Sequence, residues 1–364
     1  MQGPATSVLS RDSFQGLQSW HGQMLRGQDR GVGSFLARGA LWVGSWAYGM
    51  GVFLRNKAFQ SGWLKSFPAA VPVVSVGNLT VGGTGKTPMV EFVARFYRSR
   101  DFIAAILSRG YGAPEGSNDE ALVLEENLPD VPHLQGPDRV LLAQTAVEEL
   151  ESEILVLDDG FQHRRLRRDL DLVLIDATDP WGGGYLLPRG LLREPVSSLK
   201  RAHGVVLTRC DQVSPEVVAG IRKRIASIAA DLPIAEAAHQ PLHLANASGA
   251  REALDVLRGR KVSAFCGLGN PQAFRRTLDD LGCDVLRFHV YPDHHPYHRS
   301  DVEDLQEHAR TLPDDALVLT THKDLVKLRL DSLADRPLWA VRIGLGFRSG
   351  QADMERLLER VVNP

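Results

Sequence analysis

The segment Ser75-Val-Gly-Asn-Leu-Thr-Val-Gly-Gly-Thr-Gly-Lys-Thr-Pro88 sets three glycines directly before a lysine and a hydroxyl. Gly82, Gly83 and Gly85 let a backbone approach an anion without a Cβ in the way. Such a loop, between a strand and a helix, wraps phosphate oxygens with its N–H groups at a helix N-terminus. Gly82, Gly83, Thr84, Gly85, Lys86 and Thr87 are therefore the expected contacts of a nucleoside triphosphate. Lys86 would reach the β- and γ-phosphates, and the Thr87 hydroxyl would sit on Mg²⁺. In one respect the loop departs from the usual pattern. The glycine expected five positions before the Gly-Lys pair is Thr80 here.

A second chemical signal is Ile154-Leu-Val-Leu-Asp-Asp-Gly-Phe-Gln-His163, an apolar strand ending in paired carboxylates. Adjacent carboxylates repel without a cation, and a phosphate-loop protein needs an acidic magnesium partner on a neighbouring strand. Asp158 and Asp159 are the expected pair. The run His163-Arg-Arg-Leu-Arg-Arg168 that follows reads either as a solvated basic turn or as a contact for an anionic lipid or phosphate.

These groups need elements to hold them. After residue 68 short β-branched runs alternate with helical stretches, giving expected strands over 73–76, 103–107, 154–157, 171–175 and 204–207. Several are almost wholly apolar, as strands covered on both faces of a parallel sheet are. Helices are expected over 86–99 and 138–150. A second series of strands is expected over 262–266, 284–290, 316–320 and 338–343. Ser214-Pro215 should open a helix, and Ser300-Asp-Val-Glu303 has the spacing of a capping box. The fold class is α/β: a doubly wound parallel phosphate-loop core with a smaller second α/β lobe. The seam falls between Asp211 and Arg260, dividing the chain into an extension over 1–34, a membrane-surface helix region over 35–67, a core over 68–211 and a lobe over 212–364.

The chain has 364 residues, 43% hydrophobic, with formal net charge −2 and three cysteines. That balance excludes disorder as the main state, and so few cysteines exclude a disulfide framework. Charge is uneven: residues 1–70 carry seven Lys/Arg against two Asp, and four of the six tryptophans (Trp20, Trp42, Trp46, Trp63). This points to a membrane surface rather than to nucleic acid. The most apolar stretch, 39–54, holds sixteen uncharged residues, short of the roughly 20 that span a bilayer. It begins too far in, and lacks the cleavage pattern, for a signal peptide. The remaining choices are an interfacial helix and a buried one. Aromatic ends with Arg38, Arg55, Lys57 and Lys65 nearby favour the interfacial choice.

Further segments complete a pattern: Ser108-Arg-Gly-Tyr-Gly112, Leu187-Pro-Arg-Gly-Leu-Leu-Arg-Glu-Pro195, Pro292-Asp-His-His295 and Thr321-His-Lys-Asp324. With Val76-Gly-Asn78, the phosphate loop and Asp158-Asp-Gly-Phe-Gln-His163, the chain resembles the tetraacyldisaccharide 4'-kinases of lipid A biosynthesis from about residue 35 to 345. The resemblance implies transfer of the γ-phosphate of ATP, with Mg²⁺, to the 4'-hydroxyl of a tetraacylated glucosamine disaccharide 1-phosphate. It also implies attachment, peripheral or monotopic, to the cytoplasmic face of the bacterial inner membrane. Asp119 corresponds to the family's catalytic aspartate, although the family's Gly-Asp-Glu-Pro reads Asn118-Asp-Glu-Ala121 here. His294 is its implied partner. Arg109, Tyr111, Gln162, His163 and Arg193 are implied substrate contacts, with Tyr111 equally readable as a loop anchor, and Glu194 is a further candidate metal ligand.

Without the family the chemistry is already coherent. A sugar hydroxyl needs orientation and late proton removal, which an aspartate backed by a histidine supplies. The cluster His289, His294, His295 and His298 could also be read as a zinc site. No cysteine or upstream acid shares a periodic spacing with it, so structural or catalytic use is expected. The competing functions are a membrane-associated regulatory ATPase and a small-molecule kinase with a buried N-terminal helix. Regulatory ATPase loops usually carry a second lysine where Val81 stands. The sequence assigns no oligomeric state.

Overall fold

A computed structural model describes residues 32–110, 119–293 and 295–363. In chain order the strands are β1 (Val73–Asn78), β2 (Ala104–Ser108), β3 (His133–Gln135), β4 (Ile154–Asp158), β5 (Leu170–Asp176), β6 (Gly204–Thr208), β7 (Ile234–Ala245), β8 (Arg251–Glu252), β9 (Lys261–Cys266), β10 (Asp284–Val290), β11 (Leu317–Thr321), β12 (Ser332–Leu333) and β13 (Arg336–Ser349). They form one sheet, eleven of them in the order β10-β9-β11-β13-β7-β6-β5-β1-β4-β2-β3, with β8 beside β7 and β12 beside β13. From β3 to β7 all pairs are parallel, and so are those from β10 to β13.

β1, β2, β4 and β6 are buried at every position, which is why their sequences carry almost no polar alternation. Helix Lys86–Arg98 covers them, burying Met89, Val90, Val93, Ala94 and Tyr97. All nine expected strands occur, most with ends moved by one or two residues. The helices at 86 and 215 occur too, the latter with Ser214 at its N-cap and Pro215 in its first turn. The capping box of the helix Arg299–Arg310 is displaced. His298, not Ser300, is the N-cap, and Asp301 returns the bond to the His298 N–H at 2.7 Å.

The sheet does not break at the expected seam. β7 pairs parallel with β6 and antiparallel with β13, and that long antiparallel pair carries the sheet from one series of strands into the other. Pro241, which cannot donate to a ladder, sits where the β7/β13 register shifts. The closing helix Gln351–Val362 returns to the first half. Its Met354 and Leu358 join the core of β1 and β5, and the Tyr97 hydroxyl donates to the Leu358 carbonyl at 2.9 Å.

Helix Val32–Gln60 extends well beyond the apolar stretch at both ends. Its docking face is small and polar. Ser45 Oγ donates to the Leu186 carbonyl (2.8 Å) and accepts from the Arg189 N–H (3.0 Å), and Tyr48 donates to the Arg193 carbonyl. A Cβ on Gly44 or Gly49 would press on Pro188 or Leu186. Phe35, Leu36, Trp42, Val43, Trp46, Phe53 and Leu54 face outward instead. These side chains are therefore not part of the core. Among the described residues, no helix is long and apolar enough to cross a membrane.

Candidate active site

β1 ends at Asn78, and helix Lys86–Arg98 begins eight residues later, so the phosphate loop lies at the carboxyl edge of the sheet. Gly85 caps that helix in the left-handed conformation (φ 84°). The loop's own polar groups are engaged from outside. Thr208 Oγ1 donates to the Thr84 carbonyl (2.9 Å), Arg209 to the Gly83 carbonyl (2.8 Å), and Asn78 Nδ2 to Thr84 Oγ1 (2.9 Å). His239 of β7 closes the far side, its Nε2 2.6 Å from where a Gly85 Cβ would stand. Burial, reinforced by Arg209, holds that imidazole down to about 4, so it is neutral at pH 7.

The aspartates stand next to β1 because β4 pairs with it, Asp158 opposite Val76. The turn after β4 crosses β1 at Gly77, where an added Cβ would meet Phe161 Cβ and its backbone nitrogen, each at 2.7 Å. This is the physical reason for glycine in Val76-Gly-Asn78. We expect Gly77→Ala to cost about 1–3 kcal/mol, as overpacking against fixed backbone does. Thermal unfolding checks it, and an unchanged midpoint would mean that the turn yields freely.

The two carboxylates differ. Asp159 receives Arg193 through two nitrogens (2.7 and 2.8 Å) and Lys86 at 3.7 Å. Burial alone would raise its pKa, but Lys86 and Arg193 hold it below the usual carboxylate range. Asp158 is buried, and among the described residues its Oδ1 has no hydrogen-bond partner. Burial pushes it up to about 7, with Glu120 and Asp159 adding negative charge and Lys86 opposing. Asp159 is charge-compensated by the protein; Asp158 has an unmet demand for positive charge. Together with the Thr87 hydroxyl, this oxygen-only donor set suits a hard cation such as Mg²⁺.

The other expected residues divide. Arg193 and Gln162 converge on the Asn78 carbonyl, at 3.2 and 2.9 Å, beside the aspartates. Glu194 is fully buried with Oε2 on Arg201 (2.9 Å) and Asn56 (3.2 Å), so it joins the docking of helix Val32–Gln60. Among the described residues no three Asp, Glu, His or Cys side chains gather as a metal site. His163 is held down to about 4, by burial first and by Arg139, Arg168 and Arg165 after it.

The basic run beyond His163 is not a simple solvated turn. Arg164 donates to the Asn56 carbonyl (3.0 Å), Arg165 pairs with Asp138 (2.9 Å), and Arg168 with buried Asp171 (2.8 Å). Arg109 follows β2 at the same carboxyl edge. Asp119 is the first residue of helix Asp119–Asn127. Tyr111 and His294 lie outside the described residues.

Asn78, Thr208, Arg209 and His239 were not singled out by sequence. Asn78 lay inside a quoted motif with no role of its own assigned. Thr208-Arg209 could have been found as the polar end of an otherwise apolar strand. His239 carried no signal, because β7 itself was not legible.

The architecture and its loop have close counterparts. The family model described as tetraacyldisaccharide-1-P 4'-kinase matches residues 37–363. Tetraacyldisaccharide 4'-kinase of Syntrophus aciditrophicus is 40% identical over 314 residues, covering 79% of this chain and 83% of its own. The Anaeromyxobacter dehalogenans strain 2CP-C protein of the same name is 41% identical over 326 residues, covering 84% and 85%. Among solved structures, the "apo" form of LpxK from Aquifex aeolicus in complex with ATP superposes with a TM-score of 0.74 at 32% identity, covering 89% of this chain and 99% of that one. With a phosphate loop, an acidic pair on the adjacent strand and a family match over nearly its whole length, this chain belongs to the tetraacyldisaccharide-1-phosphate 4'-kinase family.

Proposed function

We propose that the site transfers the γ-phosphate of ATP to the 4'-hydroxyl of a tetraacylated glucosamine disaccharide 1-phosphate at a membrane surface. The observation that carries this reading is the placement of Lys86 and the phosphate loop beside an acidic pair in which Asp159 is paired with Lys86 and Arg193, while Asp158 Oδ1 has no hydrogen-bond partner among the described residues. Thr87 and Asp158, with Asp159 adjoining, would hold Mg²⁺, which when bound spreads the charge of the transferring phosphoryl group. Lys86 orients the β- and γ-phosphates and stabilises the charge that develops there. Asp119 takes the proton of the acceptor hydroxyl, and His294 shares the resulting charge. Arg193, locked on Asp159 and Asn78, fixes the floor of the acceptor side, with Arg109, Tyr111, Gln162 and His163 as further acceptor contacts. Supplying γ-labelled ATP with the lipid acceptor and with soluble sugars tests the reading. Label should move to the lipid, whereas release only as inorganic phosphate would favour a regulatory ATPase.

The enzyme works from the cytoplasmic face of the inner membrane, attached by helix Val32–Gln60. Its outward Trp42 and Trp46 form an edge-on pair, and Arg38, Arg55 and Lys57 belong to the same helix. A large apolar side chain is worth about 1.5–3 kcal/mol on full burial. Each tryptophan is already partly covered, so we take the low end. Replacing both with alanine should then weaken vesicle binding about 10²-fold. Co-sedimentation with anionic phospholipid vesicles measures this, and unchanged binding would place the attachment elsewhere.

A further inference from the structure

Helix Val32–Gln60 has two working faces. Ser45, Tyr48, Val52, Arg55 and Asn56 recur at the three- and four-residue spacing of one helical stripe. The exposed Trp42, Val43, Trp46, Phe53 and Leu54 recur at the same spacing on the other side. Among the described residues of the helix, Val52 is the one buried apolar side chain. With so little apolar burial, directed hydrogen bonds set where the inner stripe sits.

Those bonds reach past the Leu186–Arg189 turn to residues of the site. Tyr48 donates to the Arg193 carbonyl at 2.9 Å, and Arg55 donates to the Gln162 carbonyl. Asn56 gives its side-chain amide to Glu194 (3.2 Å), and its carbonyl accepts from Arg164 (3.0 Å). By sequence Arg55 flanks the apolar stretch, as a cation for anionic headgroups would. In the fold it reaches inward to Gln162 instead.

What the helix holds, the phosphate loop also touches. The Arg193 N–H donates to the Leu79 carbonyl (2.7 Å), and the Val81 N–H donates to the Leu191 carbonyl (2.8 Å). Arg193 is therefore held on three sides: its carbonyl by Tyr48, its N–H by Leu79, and its guanidinium by Asp159 and Asn78. Gln162 is held on two, its carbonyl by Arg55 and its side-chain amide on the Asn78 carbonyl (2.9 Å).

We infer that Tyr48 and Arg55 are positioning residues of the kinase site. The inner stripe of the helix holds Arg193 and Gln162 against the phosphate loop, while its outer stripe carries attachment. The inference rests on the acceptor-side roles proposed for Arg193 and Gln162. As a stability element one such hydrogen bond contributes little. As a positioning element it matters more, since a displacement of about 1 Å costs on the order of 10²-fold in rate.

Turnover is measured with the lipid acceptor dispersed in detergent, so that attachment does not limit it. Arg55→Ala should lower kcat at least about 10-fold, with the Kd for ATP and the binding of anionic vesicles each within about twofold. Arg55→Lys, which can still donate to the carbonyl, should restore most of the loss. A headgroup cation would show the reverse pattern: vesicle binding weakened about fivefold and kcat unchanged. Replacing Trp42 and Trp46 together with alanine should leave kcat within about twofold, because those side chains lie away from the site.

Tyr48→Phe keeps the ring and removes one donor, and should lower kcat at least about fivefold. In an Arg193→Ala background the same change should cost less than about twofold, because what it positions is gone. The positioning role is overturned by an unchanged kcat in either variant, by an undiminished Tyr48→Phe loss in the Arg193→Ala background, or by weakened ATP binding. Full activity of Arg193→Ala alone would remove its acceptor-side role, and this inference with it, while leaving the transfer of label to the lipid intact.

Discussion

Replacing Lys86 with alanine should leave a folded protein with kcat reduced by at least about 10³-fold. Removing one preorganised group that stabilises developing charge typically costs 10²–10³-fold. Lys86 does more than that: it also orients the phosphates and offsets the negative charge of Asp158 and Asp159. The fold should survive, because Asp159 keeps both contacts to Arg193 and the loop's carbonyls keep Thr208 and Arg209. Turnover of γ-labelled ATP onto the lipid acceptor, beside thermal unfolding of the same preparation, checks both halves. Near wild-type turnover would mean that the nucleotide is held elsewhere.

Legibility from sequence followed burial. β1, β2, β4 and β6 were readable because both faces are covered, so that each is an unbroken apolar run. β7 was not. It mixes Glu236, His239, Gln240 and His243 with a proline, since one end borders the phosphate loop and the other bends at a register shift. Its loss hid both His239 and the continuity of the sheet. Helix Val32–Gln60 was readable as apolar and basic-flanked, but not as docked through serines, glycines and Tyr48, because small docking residues look the same as linker residues in a sequence.

The site shows the same split. Lys86, Thr87 and the aspartates follow from local spacing, because one strand-turn-helix unit and the strand beside it supply them all. The grip of Arg193 on Asp159 joins residues 34 positions apart, and that of Lys323 on Glu120 joins residues 203 apart. No spacing rule reaches across such distances. Glu194, a further candidate metal ligand, sends Oε2 to Arg201 and, again across a distance no spacing rule reaches, to Asn56, while its buried Oε1 has no hydrogen-bond partner among the described residues.

The sharpest test of the catalytic reading uses Asp119 and His294 together. If they act on the acceptor hydroxyl, Asp119→Ala and His294→Ala should each lower kcat by at least about 10²-fold, within the range of general base catalysis. Asp119 opens a helix that reaches the opposite lobe, where Lys323 meets Glu120 and His322 meets Glu126. Neither Asp119 nor His294 belongs to the loop that holds the nucleotide, so the Kd for ATP should barely move. The double variant should be little worse than the worse single one, because residues acting as a unit are not additive. Loss of Asp158 should behave differently, raising the Mg²⁺ concentration needed for half-maximal rate. Its Oδ1 is buried and has no hydrogen-bond partner among the described residues. Measuring kcat, the ATP Kd and the Mg²⁺ response across these variants separates the two sets. Fully additive losses, or a collapse of ATP binding in Asp119→Ala, would place Asp119 in the nucleotide site and dissolve the pair.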